Sequence, residues 1–190
     1  MTLVFATNNP NKIKEVQALI PKHITLLSLK DIDCFEDIPE TQLTIEGNAI
    51  EKATYIKNKY GYDCFADDTG LEVEALNGEP GVSSARYAGE QRNSNDNINK
   101  LLNGLENKSN RNALFKTIIA LIINNKTHIF TGVCEGGITE TKFGNKGFGY
   151  DPVFKPNGYQ KTFAEMDLNL KNSIGHRGKA VTLLVNFLNS

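Results

Sequence analysis

Cys64-Phe65-Ala66-Asp67-Asp68-Thr69-Gly70 is the stretch on which the reading of the fold turns. Its apolar start has the length and character of a buried strand, and two adjacent carboxylates cannot both enter a core. The reading is a strand that ends in Asp-Asp and turns at Thr69-Gly70, setting acid at the rim of a sheet. Successive strand side chains face opposite sides, so one aspartate can face a cleft while the other is held by backbone or basic partners. An exposed carboxylate at such a rim suits Mg²⁺, which prefers oxygen ligands, keeps several waters and arrives together with substrate phosphates.

Outward from that strand, the chain alternates strand and helix. Thr2 to Thr7 is a short apolar run, followed by Asn8-Asn9-Pro10 and a helix carrying Ile13, Val16, Leu19 and Ile20 on one face. Asn9 suits the N-cap and Pro10 the first helical position. Ile24 to Leu29 reads as a second strand, and Ile45, Ala49, Ala53, Ile56 and Tyr60 as the buried face of a helix that Gly61 closes. Leu71-Glu72-Val73-Glu74 gives way to a Gly-rich, Pro-containing stretch through Gly89 that has no clear period and reads as an ordered loop. Ser94 can cap a helix ending at Gly104. Ala113 to Ile123 and Thr127 to Cys134 are β-rich runs joined by Asn124-Asn125-Lys126, a hairpin signal that adds an antiparallel portion. Thr162-Phe163-Ala164-Glu165 is a capping box, and Ala180, Leu183, Leu184, Phe187 and Leu188 form the apolar stripe of a final helix. This pattern is an α/β domain spanning 1–190.

Composition sets the outer bounds. The chain has 190 residues, 39% hydrophobic and 23% charged, enough for one sizeable core, and its formal net charge of -1 offers no general field for a nucleic-acid polymer. Cys34, Cys64 and Cys134 are odd in number and widely spaced, which fits buried thiols rather than a disulfide framework or a zinc site. No membrane-length apolar span and no signal-peptide pattern is present, so the expected location is the cytoplasm.

Phosphate-binding groups are suggested in several places. Thr7-Asn8-Asn9-Pro10-Asn11-Lys12 joins a strand to a helix start, where free N–H groups and the helix dipole favour anions and Lys12 adds a full charge. The alternative is a capped turn with a solvated lysine. Asn48 and Lys52 share one helix face, so Lys52 either reaches an anion or lies along the surface. Glu40 is a second candidate carboxylate for the metal, or a solvated loop acid. In Gly147-Phe148-Gly149-Tyr150-Asp151-Pro152 the glycines free the backbone, Phe148 offers a flat face for a purine, and Asp151 can accept from a base N–H; the competing role is a loop plugged into the core. Lys171, His176 and Arg177 gather donors ahead of the last helix, flanked by Gly175 and Gly178. Arg86, in Ser83-Ser84-Ala85-Arg86-Tyr87, either binds substrate or holds the long loop against an acid, and the structural role is the favoured reading.

In order and spacing, Thr7-Asn8-Asn9-x-x-Lys12, Asn48-Ala49-x-x-Lys52-Ala53, Ala66-Asp67-Asp68-Thr69-Gly70-Leu71, Ser84-Ala85-Arg86-Tyr87, Gly147 to Pro152 and Ser173-Ile174-Gly175-His176-Arg177-Gly178 resemble the inosine/xanthosine triphosphate pyrophosphatase (Ham1-like) family across essentially the whole chain. The resemblance implies a two-lobed α/β fold around a long mixed sheet, with the active-site cleft between the lobes, and a homodimer. It also implies Mg²⁺-dependent hydrolysis of ITP, dITP and XTP to the monophosphate and pyrophosphate, which keeps these nucleotides out of nucleic-acid precursor pools. By position, Asp68 takes the catalytic and metal role with Glu40 as second acid. Thr7, Asn8, Asn9, Pro10, Asn11, Lys12, Lys52 and Lys171 take the triphosphate, and Thr69 is a substrate contact. Phe148, Gly149, Tyr150, Asp151, His176 and Arg177 take the base. The family often has glycine where Asn8 stands and serine where Gly175 stands. A nucleotide-binding regulator without turnover, and a phosphatase releasing orthophosphate, are the competing functions for such a site.

Overall fold

The computed structural model describes residues 1–190. In chain order the elements are β1 (Thr2–Phe5), α1 (Pro10–Gln17), β2 (Thr25–Leu27), α2 (Ile45–Tyr60), β3 (Cys64–Val73), β4 (Pro80–Gly81), α3 (Ser94–Gly104), β5 (Asn112–Ile123), β6 (Lys126–Ile138), β7 (Phe154–Pro156), α4 (Leu168–Ile174) and α5 (His176–Leu188). The strands form one sheet in the order β2-β1-β3-β5-β6-β7, with β4 paired to β3. β1 runs parallel to both β2 and β3, whereas β4 is antiparallel to β3 and β7 to β6, so the sheet is mixed as expected.

The chain divides into two compact units. The first comprises Met1–Asp68, Thr117–Gly132 and His176–Ser190, the second Thr69–Lys116 and Val133–Gly175. Each has its own apolar core, as burial-driven folding requires. In the first, Leu3, Phe5, Phe65, Ile119, Leu121 and the α5 residues Ala180, Val181 and Leu184 pack together, and Phe5 stacks on Phe65 with ring centroids 4.6 Å apart. In the second, Leu71, Ile98, Leu101, Phe115, Phe154 and Phe163 are central members. Cys34, Cys64 and Cys134 are free and buried.

Local chemistry accounts for the element boundaries that position the site. Asn9 caps α1 by accepting from the N–H groups of Asn11 (2.9 Å) and Lys12 (3.4 Å), with Pro10 in the first turn. Thr44 caps α2, and Gly61 ends it in a left-handed conformation (φ 77°) that costs glycine nothing. Asn124 and Asn125 both have positive φ (50° and 57°), the two-residue turn that matches the twist of a hairpin.

Several expectations are corrected. β3 does not end at Asp67-Asp68: it continues through Thr69-Gly70 to Val73, because Leu71 and Glu72 pair with Gly81 and Pro80 of β4 and the Leu71 N–H is taken by Ser84 Oγ. The two aspartates are therefore mid-strand. β1 stops at Phe5 because the Thr7 N–H turns back to the Phe5 carbonyl at 2.8 Å. Asn93, not Ser94, caps α3. The Thr162/Glu165 capping box is present but opens a single 3-10 turn, and α4 starts afresh from an Asp167 cap. His176 and Arg177 lie in the first turn of α5 rather than in a turn ahead of it, since Gly175 is an extended break between α4 and α5.

Candidate active site

The turn between β1 and α1 sets the first part of the site. The Thr7 hydroxyl accepts from the Asn9 N–H at 3.2 Å and Asn9 accepts from the helix start, so the loop is held by its own side chains. Lys12, half-buried in the first turn of α1, places its ammonium 2.9 Å from Asp67 Oδ1. Its pKa is lowered, first by burial and further by the nearby charges of Lys52 and Arg177, against the opposing pull of Asp67.

Asp67 and Asp68 have different environments, as strand alternation requires. The Asp67 side chain is wholly buried and its two oxygens are divided between Lys12 and the Nε of Arg177, the latter at 3.0 Å. Burial alone would push Asp67 up, but Lys12 and Arg177 hold it well below the usual carboxylate range, so it stays ionised. Asp68 accepts from Asn48 Nδ2 at 3.2 Å and lies 3.6 Å from Lys52 Nζ. Its pKa is raised, by burial first and by the charge of Glu40 as well, against the pull of Lys52 and Lys12. One aspartate is fixed between two cations, and the other is a carboxylate whose charged form burial disfavours.

Residues of α2 complete this group. Asn48 and Lys52, four apart on one face, are both buried. The Asn48 carbonyl oxygen accepts from the Gln42 N–H at 2.9 Å, which fixes its amide so that the NH₂ meets Asp68. Lys52 Nζ lies 2.6 Å from Glu40 Oε1, so a single ammonium meets both Glu40 and Asp68. Burial works against the Lys52 charge, yet Asp68 and Glu40 together raise its pKa. Two carboxylates converging on one cation are a hard-oxygen donor set, and Mg²⁺ is commonly held by one or two carboxylates with phosphates and water filling the rest. The pair fits that mode rather than an all-protein cage, for which no group of three suitable side chains is found.

The second unit carries the Phe148 group. Gly147 and Gly149 have φ of 73° and 59°, and a Cβ on Gly147 would lie 2.0 Å from Asp151 Oδ2, so close approach requires glycine there. Asp151 is buried; its carboxylate accepts from the Phe148 N–H at 2.8 Å and from Lys171 Nζ. The Lys171 ammonium is 4.9 Å from the centre of the Phe148 ring and 5.6 Å from that of Phe163. Tyr150 is buried with its hydroxyl donating to the Ser84 carbonyl, which stitches the loop to the Ser84–Arg86 turn. Lys171, expected with the phosphate lysines, is thus grouped by its contacts with Phe148 and Asp151.

The Ham1 family pattern matches residues 3–187 of the chain. This chain belongs to the Ham1 family. It is 66% identical over 99% of its length to the dITP/XTP pyrophosphatase of Flavobacterium johnsoniae, covering 98% of that protein, and 50% identical to the one of Porphyromonas gingivalis over 98% of this chain and 96% of that one. Among solved structures, the Ham1 protein of Coxiella burnetii is 39% identical with a TM-score of 0.92, and that of Staphylococcus aureus 39% identical with a TM-score of 0.90; each comparison covers 100% of this chain and 98% of the other.

Two residues of this Ham1-family chain join the site without having been singled out in the sequence. Glu15, buried in α1, meets Arg177 Nη1. Thr117, buried in β5, has its hydroxyl 2.6 Å from Nδ1 of His176. The only sequence signal for Glu15 is its place one helical turn after Lys12, beside the core residue Val16; Thr117 carries none within an apolar strand. His176 and Arg177, both buried, are therefore tied to β5, to α1 and to the Asp67 anchor.

Proposed function

We propose that this chain hydrolyses the non-standard purine nucleoside triphosphates dITP, ITP and XTP to the nucleoside monophosphate and pyrophosphate, keeping them out of nucleic-acid precursor pools. The observation that carries the reading is the divided aspartate pair of β3: Asp67 bound to Lys12 and Arg177, Asp68 beside Lys52 and Glu40. Ham1-family membership and the names of close relatives support the substrate class.

In this mechanism Lys12, Lys52, the Thr7 hydroxyl and the turn formed by Asn8, Asn9, Pro10 and Asn11 take the phosphates, the Asn9 and Asn11 N–H groups being spent on holding the turn in shape. Lys12 keeps a donor to spare, because an ammonium has three and Asp67 takes two, at its Oδ1 and at its carbonyl oxygen. Asp68, steadied by Asn48, orients a water molecule and accepts its proton as the oxygen attacks the α-phosphorus. The bond from that phosphorus to the bridging oxygen breaks, and pyrophosphate leaves with the electron pair. Mg²⁺ bound at Asp68 and Glu40 would supply neutralisation of the phosphate charge. Lys171 is assigned to substrate as well, with Thr69, and Phe148, Gly149, Tyr150, Asp151, His176 and Arg177 to the base. Donors placed for a 6-oxo oxygen would be left unpaired by the 6-amino group of adenine, at about 1–3 kcal/mol for each buried group. The protein works as a cytoplasmic homodimer in this reading; no helix is long and apolar enough to cross a membrane.

Incubation of ITP, XTP, ATP and GTP with Mg²⁺, followed by identification of products, tests the reading. Monophosphate with pyrophosphate from ITP and XTP, and little from ATP or GTP, is the expected result. Equal turnover of ATP and ITP, diphosphate with orthophosphate, or tight binding without turnover would each overturn it.

A further inference from the structure

We propose that Glu15 is a positioning residue for the substrate's phosphates, acting through Arg177 and Asp67 on Lys12. Glu15 and Lys12 stand three residues apart on α1, one turn of a rigid helix. From Glu15 the charges alternate in a chain: its carboxylate meets Arg177 Nη1, Arg177 Nε meets Asp67 Oδ2 at 3.0 Å, and Asp67 Oδ1 meets Lys12 Nζ at 2.9 Å. The chain begins and ends on the same helix, so four side chains from α1, β3 and α5 close a ring. Within it Glu15, Asp67 and Arg177 are 5%, 1% and 2% exposed, and only Lys12 reaches towards solvent.

The ring matters because each member takes away one freedom of the next. Glu15 holds Nη1 of Arg177 and Asp67 Oδ2 holds its Nε, so the guanidinium is pinned at two separate nitrogens, while Asp67 Oδ1 meets Lys12. The lysine stem, four flexible carbons, is thereby held to one place. Stability alone does not call for the arrangement, since apolar residues fill such a space as well as buried ion pairs do. Neutralising Glu15 loosens Arg177, and with it the orientation of the Asp67 carboxylate that places Lys12, while the atoms around Asp68 stay as they are. The effect should fall on holding the phosphates rather than on the chemical step, which places it in KM and not in kcat.

This inference rests on the proposed function for its kinetic readout, so an activity-independent one runs beside it: calorimetric binding of Mg²⁺-pyrophosphate. In Glu15→Gln we expect KM for ITP to rise about tenfold with kcat within about threefold, and pyrophosphate affinity to fall about tenfold. Glu15→Asp, which keeps the charge with a shorter reach, should raise KM about threefold. Lys12→Ala should bind pyrophosphate no more weakly once Glu15→Gln is added, because both act on one contact. A lowered melting temperature with unchanged KM and pyrophosphate affinity would overturn the proposal, as would fully additive losses in the double variant. Should Glu15→Gln fail to fold, an unaltered KM in Glu15→Asp would do the same. If the wild type releases no pyrophosphate from ITP the functional reading fails instead, and the pyrophosphate titration still decides the role of Glu15.

Discussion

The Nδ2 of Asn48 lies 3.2 Å from the Oδ2 of Asp68, and the other end of the same amide accepts from the Gln42 N–H. The amide can face only one way, donor towards the carboxylate. Asp68 is therefore oriented by a neutral partner, which steadies it without adding a second positive charge beside Lys52. Asn48→Asp would place a second acid against Asp68 and leave the Gln42 contact intact. We expect it to lower kcat for ITP about tenfold or more; unchanged turnover, measured by pyrophosphate release, would show that the amide has no orienting role.

Replacing Asp68 by Asn should remove most of the activity, by about 10²-fold or more, the range in which a positioned base contributes. The fold should not suffer, because the replaced carboxylate is one that burial disfavours in its charged form. Pyrophosphate release and thermal melting on the same preparation check both halves.

The two aspartates carry opposite pH signatures. Asp68 has a folded pKa raised above its unfolded value of about 3.9. The folded state therefore binds the proton more readily, and stability from this group grows as pH falls through that window. Asp67 is depressed, so its contribution is complete above about pH 4 and is lost as pH falls through its folded value. A melting-temperature advantage of Asp68→Asn at neutral pH should accordingly shrink towards pH 4. An advantage that grew towards pH 4 would contradict this.

Gly132 on β6 marks where α5 comes closest to the sheet within the first unit. A Cβ there would lie 2.0 Å from the His176 carbonyl oxygen and 2.6 Å from the Ala180 nitrogen, both main-chain atoms that cannot swing aside. Gly132→Ala should destabilise by about 1–3 kcal/mol, as overpacking does. It should also disturb the Thr117–His176 contact at the start of α5. Chemical denaturation with an unchanged midpoint would contradict this.

Much of this organisation is legible in the residues, for physical reasons that can be named. Asn9-Pro10 and Gly61 mark helix ends because a cap and a left-handed glycine act locally. That Asp67 and Asp68 meet different surroundings follows from strand alternation, while which of them is held by Lys12 and Arg177 does not. What stayed hidden depends on distant partners. Thr69-Gly70 looks like a turn until β4 pairs beyond it, and His176-Arg177 looks like a donor loop until Glu15, Asp67 and Thr117 draw both residues into α5. Glu15 carries no sequence signal beyond its place one helical turn after Lys12. Only folding brings it to Arg177, which lies 162 residues further along the chain.

The central claim is that water adds at the α-phosphorus beside Asp68. Hydrolysis of ITP in ¹⁸O-labelled water, with the products weighed by mass spectrometry, tests it most directly. The account predicts one ¹⁸O in the inosine monophosphate and none in the pyrophosphate. Label in the pyrophosphate, or in free orthophosphate with inosine diphosphate as the other product, would contradict it.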